Sequence, residues 1–149
     1  MTVVELDDDS KATIAAAGRP RKFAAGEYVC GEGDHGRSLF LVVSGVLEAR
    51  KRLSPLYCKP LRQFGADALF GEISFLGISD RTADIVAMGD CEVVEMDREE
   101  FDALKKSAPA TALKILSAIA ATLASGLKNT NDELRNALLC TIEGLETQE

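Results

Sequence analysis

Apolar and polar positions follow three different rhythms along this chain. The first runs from residue 7 to residue 17. It opens on Asp7, Asp8, Asp9 and Ser10 and passes through "ATIAAAG" to Gly18. Carboxylates and a short polar side chain satisfy the free amides of a helix start, and glycine favours a helix end, so the stretch predicts a short N-terminal helix. Between Phe23 and Met96 the rhythm shortens. Apolar pieces such as "EYVCGEGD", "SLFLVVSGVLEAR" and "IVAMGDCEVVEM" are punctuated by Gly26, Gly33, Gly45 and Gly89. Short pieces rich in β-branched and aromatic residues, set between turn residues, predict a small antiparallel sandwich or barrel. Within it, "SGVLEARKRLSPLYCKPLRQF" reads as a hairpin with a long tip holding two prolines.

After Asp97 the rhythm becomes helical. "DREEFDALKKS" predicts a short helix capped by Asp97, with Glu99 and Glu100 in its first turn. Pro109 then stands near the start of a longer helix, where the missing N–H removes no hydrogen bond. Leu113, Leu116, Ala120, Leu123, Leu127, Thr130, Leu134 and Ala137 follow in alternating three–four spacing. That is a coiled-coil seam interrupted by one threonine. It continues past what one small barrel could cover, which favours a homodimer through this helix; docking of Leu113–Leu123 on the chain's own barrel is the alternative. The expected class is α+β: an antiparallel β-sandwich or jelly-roll barrel, a short N-terminal helix, and C-terminal helices of which the last is long. Residues 1–107 form the roll with its flanking helices, 108–141 the dimerisation helix and 142–149 a tail.

Composition narrows the partners. Of 149 residues, 46% are hydrophobic and 28% charged, so the chain can build a core. A formal net charge of -7 disfavours nucleic acid and anionic membranes as partners. No apolar run is expected to reach the length of a membrane span, and "MTVVELDDDSK" lacks the basic and apolar regions of a signal peptide. A cytoplasmic protein without membrane insertion is expected. Cys30, Cys58, Cys91 and Cys140 are scattered and His35 is the single histidine, so no metal site is expected and the thiols should be reduced and mostly packed. Arg50, Lys51, Arg52, Lys59 and Arg62 read as a solvated edge that discourages strand addition, with a docking patch as the alternative.

The chemistry concentrates in "LFGEISFLGISDRTAD", where Glu72 and Arg81 stand nine positions apart around one tight turn. Both are costly to bury, so they either pair with each other or share a ligand that needs both. Gly71 admits a close backbone approach, and the amides of Ile73, Ser74 and Phe75 are expected to be free at the start of a helical turn. A carboxylate accepts hydrogens such as those of sugar hydroxyls, while a guanidinium fork suits phosphate oxygens. A ribose beside a singly charged phosphate answers both. A nucleoside triphosphate would call for a P-loop and a metal, for which this sequence has no motif.

These residues resemble the cyclic-nucleotide-binding domain family of catabolite activator proteins, regulatory subunits of cAMP-dependent kinase and cyclic-nucleotide-gated channels. "FAAGEYVCGEGDHGRSLFLVVSGVLEA" is similar to the family's opening strands, "FGEISFLGISDRTA" to its phosphate-binding cassette, and "CEVVEMDREEFDAL" to its last strand and first hinge helix. The resemblance implies that Glu72, helped by the Gly71 backbone, binds the ribose 2′-hydroxyl and that Arg81 pairs with the cyclic phosphate. It implies that the amides of Ser74 and Thr82 cap that phosphate, with Ile73 and Ala83 in the same contact set. "LASGLKNTNDELRN" is similar to the family's dimer helix, which makes Thr130 and Asn131 candidates for the base; a register-fixing polar seam position is the other reading of Thr130. The helix pair favours cAMP over cGMP, whereas Thr82 beside Arg81 resembles the family's cGMP-favouring pattern. Asp80 and Asp84 depart from the usual cassette, and Gly65 stands two residues early in "FGADALFGE".

The implied function is a non-enzymatic sensor that binds cAMP or cGMP, uses no other cofactor, and signals to an unidentified protein effector without a DNA-reading or catalytic domain of its own. The alternatives are a same-fold sensor of another small effector and a structural dimer with a relic pocket.

Overall fold

The structure is a computed structural model that describes residues 6–147. The opening residues 1–5 and the last two of the tail lie outside it. The order is α1 (Asp8–Ala17), β1 (Arg19–Phe23), β2 (Tyr28–Cys30), β3 (Leu39–Ser44), β4 (Leu47–Ser54), β5 (Tyr57–Phe64), β6 (Leu69–Phe70), α2 (Glu72–Phe75), β7 (Asp84–Ala87), β8 (Cys91–Met96), α3 (Arg98–Ser107) and α4 (Pro109–Glu146). The strands form two four-stranded antiparallel sheets, ordered β1-β8-β3-β6 and β2-β7-β4-β5. This is the expected sandwich-like roll with its short first helix and long last one. The caps follow the sequence: Asp7 accepts from the Ser10 amide and Asp97 from the Glu100 amide, each at 2.8 Å.

Strand β3 explains the layering. "LFLV", Leu39–Val42, carries no polar residue because both of its faces are buried. Leu39 and Leu41 face the helices, where they join Ile14, Met96, Phe101, Ile115 and Ile119. Phe40 and Val42 face the inside of the roll, with Leu47, Phe64, Phe70 and Val93. Strand β8 splits in the same way, Val94 and Met96 to the helices and Cys91 and Val93 to the inside. One sheet therefore serves two cores.

The hairpin has long arms rather than a long tip. Strands β4 and β5 pair from Leu47 with Phe64 to Ser54 with Tyr57, leaving Pro55 and Leu56 as the turn. Pro60 is accommodated because β5 is an edge strand, where a missing donor breaks no ladder. Three of the five expected edge cations are engaged within the chain: Arg50 with Glu48, Lys51 with Glu32 and Arg52 with Asp84. The thiols also differ from expectation. All four are free, but Cys58 and Cys140 are exposed and only Cys91 is fully buried.

The long helix uses a different face from the one read as a seam. Ala112, Ile115, Ala118 and Ile119 dock on the roll, so intrachain docking through Leu113 and Leu116 is not what holds it. Leu113, Leu127 and Leu134 are exposed at 66%, 64% and 58%. The helix also runs to Glu146, through most of the expected tail. The expectation that no segment reaches membrane-span length needs correction. Pro109–Glu146 contains an 18-residue window with mean hydropathy 1.5, long and apolar enough to cross a bilayer by length and composition. The window scores high because one face packs on the roll and another carries the leucine seam.

Ile115 is fully buried where α4 meets the roll. Ile115→Ala should lower unfolding stability by about 2–4 kcal/mol, as expected for a large-to-small change at a packed site. Chemical denaturation of parent and variant measures this.

Candidate functional site

The cassette predicted from "FGEISFLGISDRTAD" folds as strand β6, one helical turn, and a loop returning into β7. Gly71 begins the turn with φ +83°, and a Cβ there would stand 2.7 Å from Arg81 Nη1 and 2.8 Å from the Ser38 carbonyl oxygen. Only glycine meets both conditions. Its carbonyl accepts from the Phe75 amide at 3.0 Å, so Phe75 is not among the free donors, contrary to the sequence expectation. Gly77, with φ +81°, turns the chain back.

Arg81 is 6% exposed. Its Nη1 donates to the Ser38 carbonyl oxygen at 2.9 Å, to the Gly71 carbonyl oxygen at 3.2 Å and to Ser74 Oγ. All three acceptors are neutral. Its Nε is buried without a hydrogen-bond partner. Burial pulls the Arg81 pKa below its usual value, against the charges of Cys30, Glu95, Asp34 and Glu72. Glu72 is half-buried and forms no ion pair with Arg81 among the described residues. The carboxylate and the guanidinium therefore do not neutralise each other, and the guanidinium retains directed donor capacity.

A loop between β2 and β3 straps this arginine in place. The Gly33 amide donates to the Arg81 carbonyl oxygen at 2.8 Å, and the Arg81 amide donates to the Asp34 carbonyl oxygen at 2.9 Å. A Cβ on Gly36 would lie 3.1 Å from Nη2 and 3.2 Å from Nε, so glycine there leaves that edge of the guanidinium uncrowded. The two unusual acids are both engaged elsewhere. Asp80 pairs with His35 Nδ1 at 3.0 Å on the exposed rim, and its hydrogen bond and charge hold the imidazole above its usual pKa. Asp84 is buried and accepts from Arg52 through both oxygens at 3.0 Å.

Gly71, Glu72, Ile73, Ser74, Arg81, Thr82 and Ala83 all line one cavity of about 170 Å³. Thr130 and Asn131 do not; both are exposed on α4, and Thr130 Oγ1 donates to the Gly126 carbonyl oxygen. The sequence reading missed the opposite wall: Cys30, Ala49, Leu61, Arg62, Phe64, Phe70 and Ile85. A signal existed for Arg62. Once Phe64 is taken as the inward residue of β5, period-two alternation puts Arg62 on the same face. The Arg62 guanidinium carbon lies 5.1 Å from the Phe64 ring centroid, a cation–π contact.

Residues 20–108 match the family model described as "Cyclic nucleotide-binding domain". This chain belongs to that family. It is 32% identical over 114 residues to the cyclic AMP receptor protein of Thermus thermophilus, covering 76% of this chain and 51% of that protein. It is also 32% identical over 129 residues to glutaminase 2 of Bradyrhizobium diazoefficiens, covering 87% of this chain but 20% of the relative. Among solved structures, the Thermus thermophilus catabolite activator protein superposes with TM-score 0.74 at 29% identity, covering 89% of this chain and 60% of that one. The chain thus spans about half of one curated relative and a fifth of the other. Family membership identifies the roll and its cassette as those of a cyclic nucleotide-binding regulatory domain.

Proposed function

We propose that this chain is a cyclic-nucleotide sensor that acts on a protein effector as a homodimer in the cytoplasm, with no chemistry of its own on the nucleotide and without inserting into a membrane or binding nucleic acid. One observation carries the reading. Arg81 is a buried cation with no ion-pair partner among the described residues and an unpartnered Nε, at the wall of a cavity that also holds Glu72. A cyclic phosphate supplies the missing anion. The free ribose hydroxyl supplies a donor to Glu72, with the Ser74 and Thr82 amides on the phosphate oxygens. Ile73 and Ala83 complete the contact surface. This favours the sensor over a relic pocket, because an abandoned site has no reason to keep a buried cation unpaired.

For the base we hold cAMP as the first reading. A Thermus relative is named for cyclic AMP, and Thr130 and Asn131 reach adenine if the helix of a second copy crosses the open side of the cavity. The exposed leucine seam supports that arrangement: it leaves α4 with a long apolar face that the roll does not cover. A second reading, cGMP, is favoured by Arg62. Guanine presents two adjacent acceptors, O6 and N7, which match a guanidinium fork, whereas adenine places a donor at N6.

Three outcomes follow. Arg81→Ala should weaken cyclic-nucleotide binding by roughly 30-fold or more, since losing one partner of a buried charged pair costs about 2–5 kcal/mol. Calorimetric titration measures this, and equal dissociation constants for parent and variant would end the sensor reading. In competition titrations, Thr130→Ala should lose mainly cAMP affinity and Arg62→Ala mainly cGMP affinity, each by about tenfold; the larger loss identifies the base the site reads. Leu127→Lys, which places a charge in the seam, should shift the chain from dimer to monomer in light scattering.

A further inference from the structure

Asp84 is unusual in chemistry and in placement. It follows Ala83, which lines the cavity, yet its own carboxylate points to the other side, into a hollow with Tyr28, Gly31, Arg52 and Cys58. The carboxylate is 4% exposed while its partner, Arg52, is 58% exposed. The pair is bidentate, and the Glu32 amide adds a third bond to Asp84 Oδ1 at 2.7 Å. The adjacent Lys51 grips the same segment. Its Nζ donates to the Thr82 carbonyl oxygen at 3.0 Å and pairs with Glu32. Two neighbouring cations of β4 thus hold the arm that runs from the phosphate-facing Arg81 into β7.

The charge of Asp84 also reaches the cavity. Burial pushes the Cys30 thiol up, the Arg81 charge opposes that, and the charges of Asp34 and Asp84 add to it. Cys30 is a cavity-lining residue. An uncompensated carboxylate at 84 would therefore oppose an anion beside Arg81.

We propose that Arg52 is a positioning residue for nucleotide binding, acting through Asp84. It neutralises the carboxylate, so that a buried negative charge behind the cassette arm does not repel the phosphate on the other side. This rests on the cyclic-nucleotide reading. It makes the β4–β5 hairpin, through Arg52, a determinant of affinity although Arg52 does not line the cavity.

The sign with pH follows from the groups around Asp84. Burial raises its pKa, while the Arg52 and Glu32 hydrogen bonds and the charges of Arg52 and Arg50 hold it below the usual carboxylate value. In the parent it therefore stays ionised and paired across the neutral and mildly acidic range. Replacing Arg52 by glutamine keeps a donor but removes the charge, so burial then raises the Asp84 pKa. Affinity lost near neutral pH should return as the pH falls and the carboxyl protonates. His35, whose pKa Asp80 raises, is common to parent and variant, so the ratio of their affinities isolates Asp84.

The test uses cAMP and cGMP titrations of the parent, Arg52→Gln, Asp84→Asn and the double variant at about pH 7.5 and about pH 5.5. Arg52→Gln should bind about tenfold more weakly at the higher pH, the scale of one uncompensated charge near the site. The deficit should shrink at the lower pH. The double variant should match the parent at both, and Asp84→Asn should bind at least as tightly as the parent. A parent that binds neither nucleotide overturns the sensor reading and this inference with it. A parent that binds, with Arg52→Gln equal to it or the double variant as weak as Arg52→Gln, overturns the inference alone. If Arg52→Gln does not fold, Asp84→Asn decides: tighter or equal binding supports the proposal, and a tenfold loss refutes it.

Discussion

The structure around the cavity is organised by one buried guanidinium that has no ion-pair partner among the described residues. Burying a guanidinium without a carboxylate is tolerable only if its hydrogens are placed on other acceptors, and neutral acceptors replace hydration only in part. Here Nη1 takes three of them, from Ser38, Gly71 and Ser74. Each imposes a local requirement. Gly71 must lack a side chain, the turn Glu72–Phe75 must present Ser74 inward, and the strap at Gly33–Ser38 must pass over the arginine. Leaving Nε unpaired keeps a strong donor in surroundings of low dielectric, where an arriving anion is bound far more firmly than at a wet surface. The local sequence reads as a set of accommodations to that one side chain.

Much of this was legible because it is local. Helix caps, glycine turns and the two-sided burial of "LFLV" follow from residue chemistry at short range. So did the cassette, because its residues from Gly71 to Ala83 lie close together in the chain and reach the cavity by one turn and one return. What the sequence could not show is who meets whom across long separations. Asp80 and Asp84 read as two extra acids near a phosphate. Each is engaged by a residue more than thirty positions away, His35 in one case and Arg52 in the other. Arg62 was hidden for a similar reason. A run of cations on an edge strand looks like solvated charge until the fold shows which of them shares a face with an inward phenylalanine.

The long helix shows a different limit. Leu113, Leu116, Leu123 and Leu127 keep a heptad spacing, while Ala112, Ile115, Ala118 and Ile119 form a neighbouring stripe of smaller or branched residues. Periodicity reveals that a helix has apolar faces, but not which face is used first when there are two. The roll takes the Ala/Ile stripe, which allows the close approach that small side chains permit. The leucine stripe is left outward except at Leu123, which packs on the edge of the core. The same double stripe raises the hydropathy of α4 to that of a membrane-crossing segment, so high hydropathy here records two packing faces on one cylinder.

Helix α4 leaves the roll beside one wall residue of the cavity. Helix α4 stays in contact with the core as far as Leu123, and beyond Gly126 every described residue is exposed. At that point the Arg62 guanidinium approaches the helix: a Cβ on Gly126 would stand 3.9 Å from Nη1. Arg62 belongs to the cavity wall, so the end of the contact between α4 and the roll lies beside a cavity-lining side chain. Coupling between two sites requires an element that both can bias. Strand β5 around Arg62 is positioned to be that element. A molecule in the cavity would touch Arg62 from one side, and α4 meets it at Gly126 from the other.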